Sequence, residues 1–183
     1  MKNILFLLFF PYVFKTYSQD LTNTFKIGQS YGGGIIFYID TTGIHGLIVA
    51  TNDLDFIVLS CGKKSLLTYK DLGTFSSKPT NRSVGSGQRN TYNLVNYSGE
   101  GVYSAFLCYN LFYQDYSDWF LPSIDELNLL FKQKKLIGEF SDGYYESSTE
   151  NIENKTLYID FTNGTEVYDF LMKNKYARPI RAF

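Results

Sequence analysis

The residues of this chain best placed for chemistry lie near its end, where Asn163-Gly164 is the preferred pair for a two-residue hairpin turn. That turn sets Thr162 opposite Thr165, Asp160 opposite Val167 and Tyr158 opposite Asp169. One face then carries Leu157, Ile159, Phe161, Tyr168 and Phe170, and the other Tyr158, Asp160, Thr162, Thr165, Val167 and Asp169. The alternation predicts one face for the core and one for water. On the wet face the Tyr158 ring and the Asp169 carboxylate would stand about 5 Å apart at Cβ. A ring to cover C–H faces, with carboxylates to accept hydroxyl hydrogens, is what a neutral sugar asks of a site. Tyr158, Asp160 and Asp169 are therefore the candidate ligand-binding residues, and a plain solvated face is the alternative.

Other chemistries are thinly represented. His45, the single histidine, sits between Ile44 and Gly46 at a hairpin, and no Gly-x-Ser-x-Gly nucleophile motif exists for it to serve. There is no His-x-x-His, no Cys-x-x-Cys and no EF-hand loop, so no metal and no cofactor are expected. Gly85-Ser86-Gly87 lacks both a leading strand and a following Lys-Ser or Lys-Thr pair, which excludes a phosphate loop. Four Asn-x-Ser/Thr sequons, at Asn81, Asn96, Asn154 and Asn163, read as chance in an Asn-rich chain. The chain is expected not to be an enzyme.

Several elements must position these residues. Ser123, with Glu126 three residues on and an apolar run beyond, is a capping-box pattern. Asp125 and Glu126 suit the positive first turn of that helix, and Lys132, Lys134 and Lys135 its negative end. Ile124, Leu127, Leu130 and Phe131 form one stripe at helical spacing, so 123–134 is predicted to be a helix anchored by Trp119. Val102, Ala105, Phe106, Tyr109 and Tyr113 predict a second helix over 101–113. Strands are predicted at 35–39 and 44–50, joined by the turn Asp40-Thr41-Thr42-Gly43, with a short strand near Ile180. From Asn52 to Gly101 the signal is poor, and Ser, Thr, Asn and Gly read as long structured loops.

At 183 residues the chain is long enough for one domain with a real core. Lys2, the apolar run Ile4 to Phe14 and small residues at Thr16 and Ser18 predict a signal peptide over 1–18, leaving Gln19 first. That run is too short for a bilayer, which needs about 20 residues. Loss of Lys2 and Lys15 would leave 15 basic against 18 acidic residues, which offers nothing to nucleic acid. The expectation is export, to the medium or the cell surface, with no membrane span. In an exported chain Cys61 and Cys108 are either a disulfide or, for Cys108 in an apolar helix, a buried thiol.

The segment Asp118-Trp119-Phe120-Leu121-Pro122-Ser123-Ile124-Asp125-Glu126-Leu127 resembles the Asp-Trp-Phe-Leu-Pro-Ser-x-x-Glu-Leu core of the Lcl C-terminal domain family, named for a bacterial collagen-like adhesin. Three further pieces agree in order: Gly32 to Asp40, Ser147-Ser148-Thr149-Glu150, and Ala177-Arg178-Pro179-Ile180-Arg181-Ala182-Phe183. The resemblance implies a single domain over 19–183 with the C-type-lectin-like fold shared with formylglycine-generating enzymes. The fold class expected is α+β, two helices on a small, mostly antiparallel sheet with long loops. It also implies adhesion or recognition at the cell surface, with carbohydrate or a surface protein as ligand. The calcium triplets of C-type lectins and the paired reactive cysteines of formylglycine-generating enzymes are absent, so neither calcium nor that catalysis is carried over. Glu146 stands where the family has tryptophan in the pattern aromatic-Trp-Ser-Ser. The competing functional readings are a structural subunit of an envelope assembly and, third, a hydrolase.

Overall fold

The computed structural model describes residues 24–54, 80–151, 155–169 and 175–183. The expected leader and Cys61 lie outside the described residues. Within them the chain is α+β, with four helices and two four-stranded sheets. The first sheet joins β1 (Ser30–Tyr31), β2 (Gly34–Ile39), β3 (Gly46–Val49) and β8 (Ile180–Ala182), all antiparallel and in that order. The second contains β4 (Tyr144–Glu150), β5 (Thr156–Asp160), β6 (Glu166–Asp169) and β7 (Lys175–Tyr176), in the order β6-β5-β4-β7. Its β4–β7 pair is parallel and the rest antiparallel.

The terminal hairpin therefore does not join the first sheet, as the single-sheet expectation required. Tyr144 to Glu150 forms a long strand of its own, and it is this strand that pairs with β5. β2 and β3 alternate between two cores. Ile36 and Ile48 face a cluster around Trp119, Leu121, Leu94 and Cys108. Phe37, Leu47 and Val49 face a second cluster that includes Tyr145, Leu157, Ile159 and Phe161 from the other sheet. Gly34 permits the close β2–β3 pairing, because a Cβ there would lie 2.1 Å from the Val49 carbonyl oxygen.

The helices are α1 (Gly87–Ser98), α2 (Ser104–Tyr109), α3 (Ile124–Lys132) and the single turn α4 (Lys134–Ile137). α3 lies between the sheets and buries Ile124, Leu127 and Leu130. Its apolar stripe is as expected from the sequence. α2 is shorter than the predicted 101–113, because the Asn110 amide caps it by donating to the Phe106 carbonyl. Gln114 and Asp115 then both take positive φ, at 52° and 66°, and fold a tight hairpin between Tyr113 and Tyr116. Cys108, on α2, is a free and fully buried thiol, the second of the two readings open for it.

α1 occupies a stretch whose sequence reads as loop. Its buried residues are Gly87, Asn90, Thr91 and Leu94, spaced i, i+3, i+4 and i+7. The stripe is helical, but only Leu94 in it is an aliphatic residue. Thr91 Oγ1 bonds the Gly87 and Leu121 carbonyls and accepts from Leu121 N, so hydrogen bonds do here what apolar contacts do elsewhere. Asn90 likewise exchanges hydrogen bonds with the Asn81 backbone and donates to Ser148 Oγ.

Candidate functional site

The terminal hairpin does not present the site that its sequence suggested. Asn163 N and Gly164 N both donate to the Asp160 carbonyl, and Asp160 N donates to Thr165 O. The loop thus holds four residues, Phe161 to Gly164, and the pairing moves by two. Tyr158 stands opposite Val167, not Asp169, and Asp169 pairs with Thr156. Tyr158 is only 1% exposed, so its face is closed to a stacking sugar. Glu146 lies beside it on β4, and Lys175 Nζ sits 3.4 Å from its hydroxyl. Asp160 is spent on the turn: its carboxylate accepts from Thr162 N at 2.8 Å and from the Asn163 amide at 3.0 Å. Those bonds, that from Thr162 N first, hold its pKa below the usual range.

Among the described residues, two of the ion pairs are buried. Lys175 Nζ donates to Glu146 Oε1 at 2.7 Å, and Ser104 Oγ donates to Glu146 Oε2. Glu146 is therefore a buried carboxylate with a counter-ion. Arg178 pairs with Asp53 at 2.7 Å and donates to the carbonyls of Ala50, Thr51 and Glu139. Burial raises the Asp53 pKa even though Arg178 opposes it. Among the described residues no group of three or more His, Cys, Asp or Glu is arranged to hold a metal ion. His45 is exposed on the β2–β3 turn, whose Asp40 N donates to its carbonyl.

The turn before α3 is built around its cap. Glu126 Oε2 accepts from Ser123 N at 2.7 Å, and Ser123 Oγ accepts from Glu126 N at 3.4 Å. Glu126 Oε1 accepts from Gly85 N, which ties the start of α1 to the cap of α3. Gly87 is needed there, since a Cβ would fall 2.2 Å from Glu126 Oε2. From the other side, Ser148 N donates to Pro122 O and Ile124 N donates to Thr149 Oγ1. Phe120 exchanges both backbone bonds with Ile180. The segments 118–127, 147–150 and 177–183, distant in sequence, meet here as one hub.

That hub fixes one wall of a cleft of about 740 Å³. The other wall is the outer face of α1, presenting Gln88, Arg89, Tyr92 and Asn93, with Tyr109 at the end of α2. Tyr92 and Tyr109 are 51% and 44% exposed, and their ring centroids lie 6.3 Å apart at 51°. Asp118 stands at the edge, its carboxylate gripped by Arg181 at 2.7 and 2.8 Å. The bond from Arg181 is the main cause holding the Asp118 pKa below its ordinary value, so the group stays ionised. Arg181 is itself oriented by the Gly32 carbonyl at 3.0 Å and the Tyr116 ring at 3.8 Å. Sequence reasoning missed Gln88, Arg89, Tyr92 and Asn93, because α1 itself was missed. The available signal was the i, i+4 pairing of Gln88 with Tyr92 and of Arg89 with Asn93, on the side opposite the buried stripe.

No family model matches the chain, and no curated protein matches it.

Proposed function

We propose that the chain is an exported, non-enzymatic binding module of the Lcl C-terminal kind, lectin-like in architecture, and that the α1 cleft takes a carbohydrate. The observation that carries this reading is the pair of exposed rings, Tyr92 and Tyr109, on the wall of a cleft edged by amides, a hydroxyl and an orientated carboxylate. Sugars present C–H faces that rings cover and hydroxyls that amides and carboxylates bond, and this wall offers both. The fold and family parts of the proposal rest on the four sequence pieces that resemble the family.

A surface protein as ligand has an observation of its own. Tyr97, Val102 and Phe112 are also exposed, Phe112 at 66%, and none of them lines the cleft, so apolar side chains remain that a small sugar in it would not cover. A glycan array probed with the protein and with its Tyr92→Ala variant tests the first reading. Binding that is lost in the variant supports the carbohydrate site. No binding to any glycan would instead favour the protein ligand.

A further inference from the structure

A second buried carboxyl lies close to the Glu146 ion pair and has no counter-ion among the described residues. Glu150 ends β4, is 3% exposed, and leaves Oε2 without a hydrogen-bond partner. It is the one buried side-chain oxygen or nitrogen among the described residues in that position. Glu146, on the same strand, is the charge it feels. Lys175 on β7 brings a cation whose ammonium is bound to Glu146, while Lys155 precedes, and Asp169 on β6 stands opposite, Thr156, the residue that pairs with Glu150. β5 contributes the Tyr158 hydroxyl, and α2 contributes Ser104 and the Cys108 thiol. α1 turns neutral Asn90 toward the strand while Arg89 opens to the cleft, and Glu126, in the first turn of α3, is committed to Ser123 and Gly85. An ionised carboxylate held away from water, with an oxygen that accepts no hydrogen bond and another carboxylate beside it, is costly. A protonated one costs less, because it carries no charge to desolvate or repel.

The same residue stands where β4 is stapled to the segment leading into α1. Glu150 N donates to Thr80 Oγ1 at 2.7 Å, and that hydroxyl donates to the Ser148 carbonyl. Next in the chain, Asn81 N donates to Asn90 Oδ1, and Asn90 Nδ2 donates back to Asn81 O. We propose that the Glu150 carboxyl is a proton-operated latch: protonated, it lets β4 hold residues 80–90 and α1 in place, and ionised, it loosens them and the cleft wall that α1 forms.

Burial first, and Glu146 second, raise the Glu150 pKa from the ordinary 4.5 to about 7. The folded chain therefore keeps a proton that the unfolded chain has lost. Stability must fall as pH rises from about 4.5 through about 7 and level off above. Glu150→Gln keeps the shape and the donor of the acid form and cannot ionise. At pH 5 the melting temperatures of the parent and E150Q should agree, and at pH 8 the parent should melt roughly 5 °C lower. Amide exchange over residues 87–98, corrected for its intrinsic pH dependence, should quicken at pH 8 in the parent only. Parallel melting curves overturn the proposal, as does a pH-dependent loss of stability that leaves exchange in α1 unchanged. Carbon-13 carboxyl NMR on the parent needs no variant: a Glu150 midpoint near 7 is expected, and one below about 5.5 overturns the latch.

Discussion

The segment before α3 and the helix α1 face each other across one cleft and are built by opposite rules. In the first, side chains are consumed by the fold. Ser123 and Glu126 cap α3, Glu126 also holds Gly85, and Asp118 is clamped by Arg181. On the outer face of α1, Gln88, Arg89 and Asn93 make no side-chain hydrogen bond or ion pair within the described residues. Charged and amide groups that do nothing for stability, on a helix fixed by its other face, are free to meet a ligand. The residues that most resemble a known family are thus the scaffold, and the cleft's adaptable wall lies in the segment with the least recognisable sequence.

The sharpest way to break this contrast is to attack the scaffold where it is most committed. Arg178→Ala would strand the Asp53 carboxylate and three backbone carbonyls in the interior. It should cost about 5 kcal/mol, the upper end for breaking a buried pair by removing one partner. Urea melts give the number, and a change under 1 kcal/mol would mean that the C-terminal segment is not the anchor described. Trp119→Ala follows at about 4 kcal/mol, since the ring is buried and its Nε1 donates to Tyr113 O at 3.1 Å. Because Trp119 also lines the cleft, this variant should lose any binding together with stability, unlike a change on α1.

What was legible in the sequence follows the same division. The capping box and its apolar stripe are local patterns, in which each residue's role is set by neighbours three or four positions away, and the structure contains both. α1 was illegible because its buried stripe, Gly87, Asn90, Thr91 and Leu94, is mostly polar and works by hydrogen bonds to Leu121, Asn81 and Ser148. Those partners are tertiary, and no window of sequence holds them. The terminal hairpin failed for a local reason. Asp160 binds Thr162 N and the Asn163 amide, which favours a four-residue loop over the two-residue turn that Asn163-Gly164 suggested. The neighbours of the buried Tyr158 include Glu146 and Lys175, whose pairing spans 29 residues and which no local window joins.

A smaller effect should come from the cap itself. Ser123→Ala removes a long bond from Glu126 N and a 3.0 Å bond to the Ser83 carbonyl, but leaves Glu126 on Ser123 N. The expected cost is about 1 kcal/mol in the same urea melts. A loss as large as that for Trp119 would show that the Ser83 link, and hence the approach to α1, matters more than the helix cap.

The smallest expected change in stability is the one that bears most on function. Tyr92 is half exposed, and the one ring contact it makes among the described residues is with Tyr109, itself exposed. Truncating it should change the unfolding free energy from urea melts by less than about 0.5 kcal/mol, as surface changes away from caps and cores do. If the cleft binds through its rings, the same change should weaken affinity by about 1–2 kcal/mol, roughly five- to thirtyfold, because an exposed aromatic anchor is desolvated only when the ligand covers it. Titration calorimetry with a glycan hit measures the second number and urea the first. A variant that keeps both affinity and stability removes Tyr92 from the site. One that loses stability makes Tyr92 part of the scaffold, and the contrast between the two walls then fails at its most exposed point. Only unchanged folding with weakened binding is what a free wall predicts.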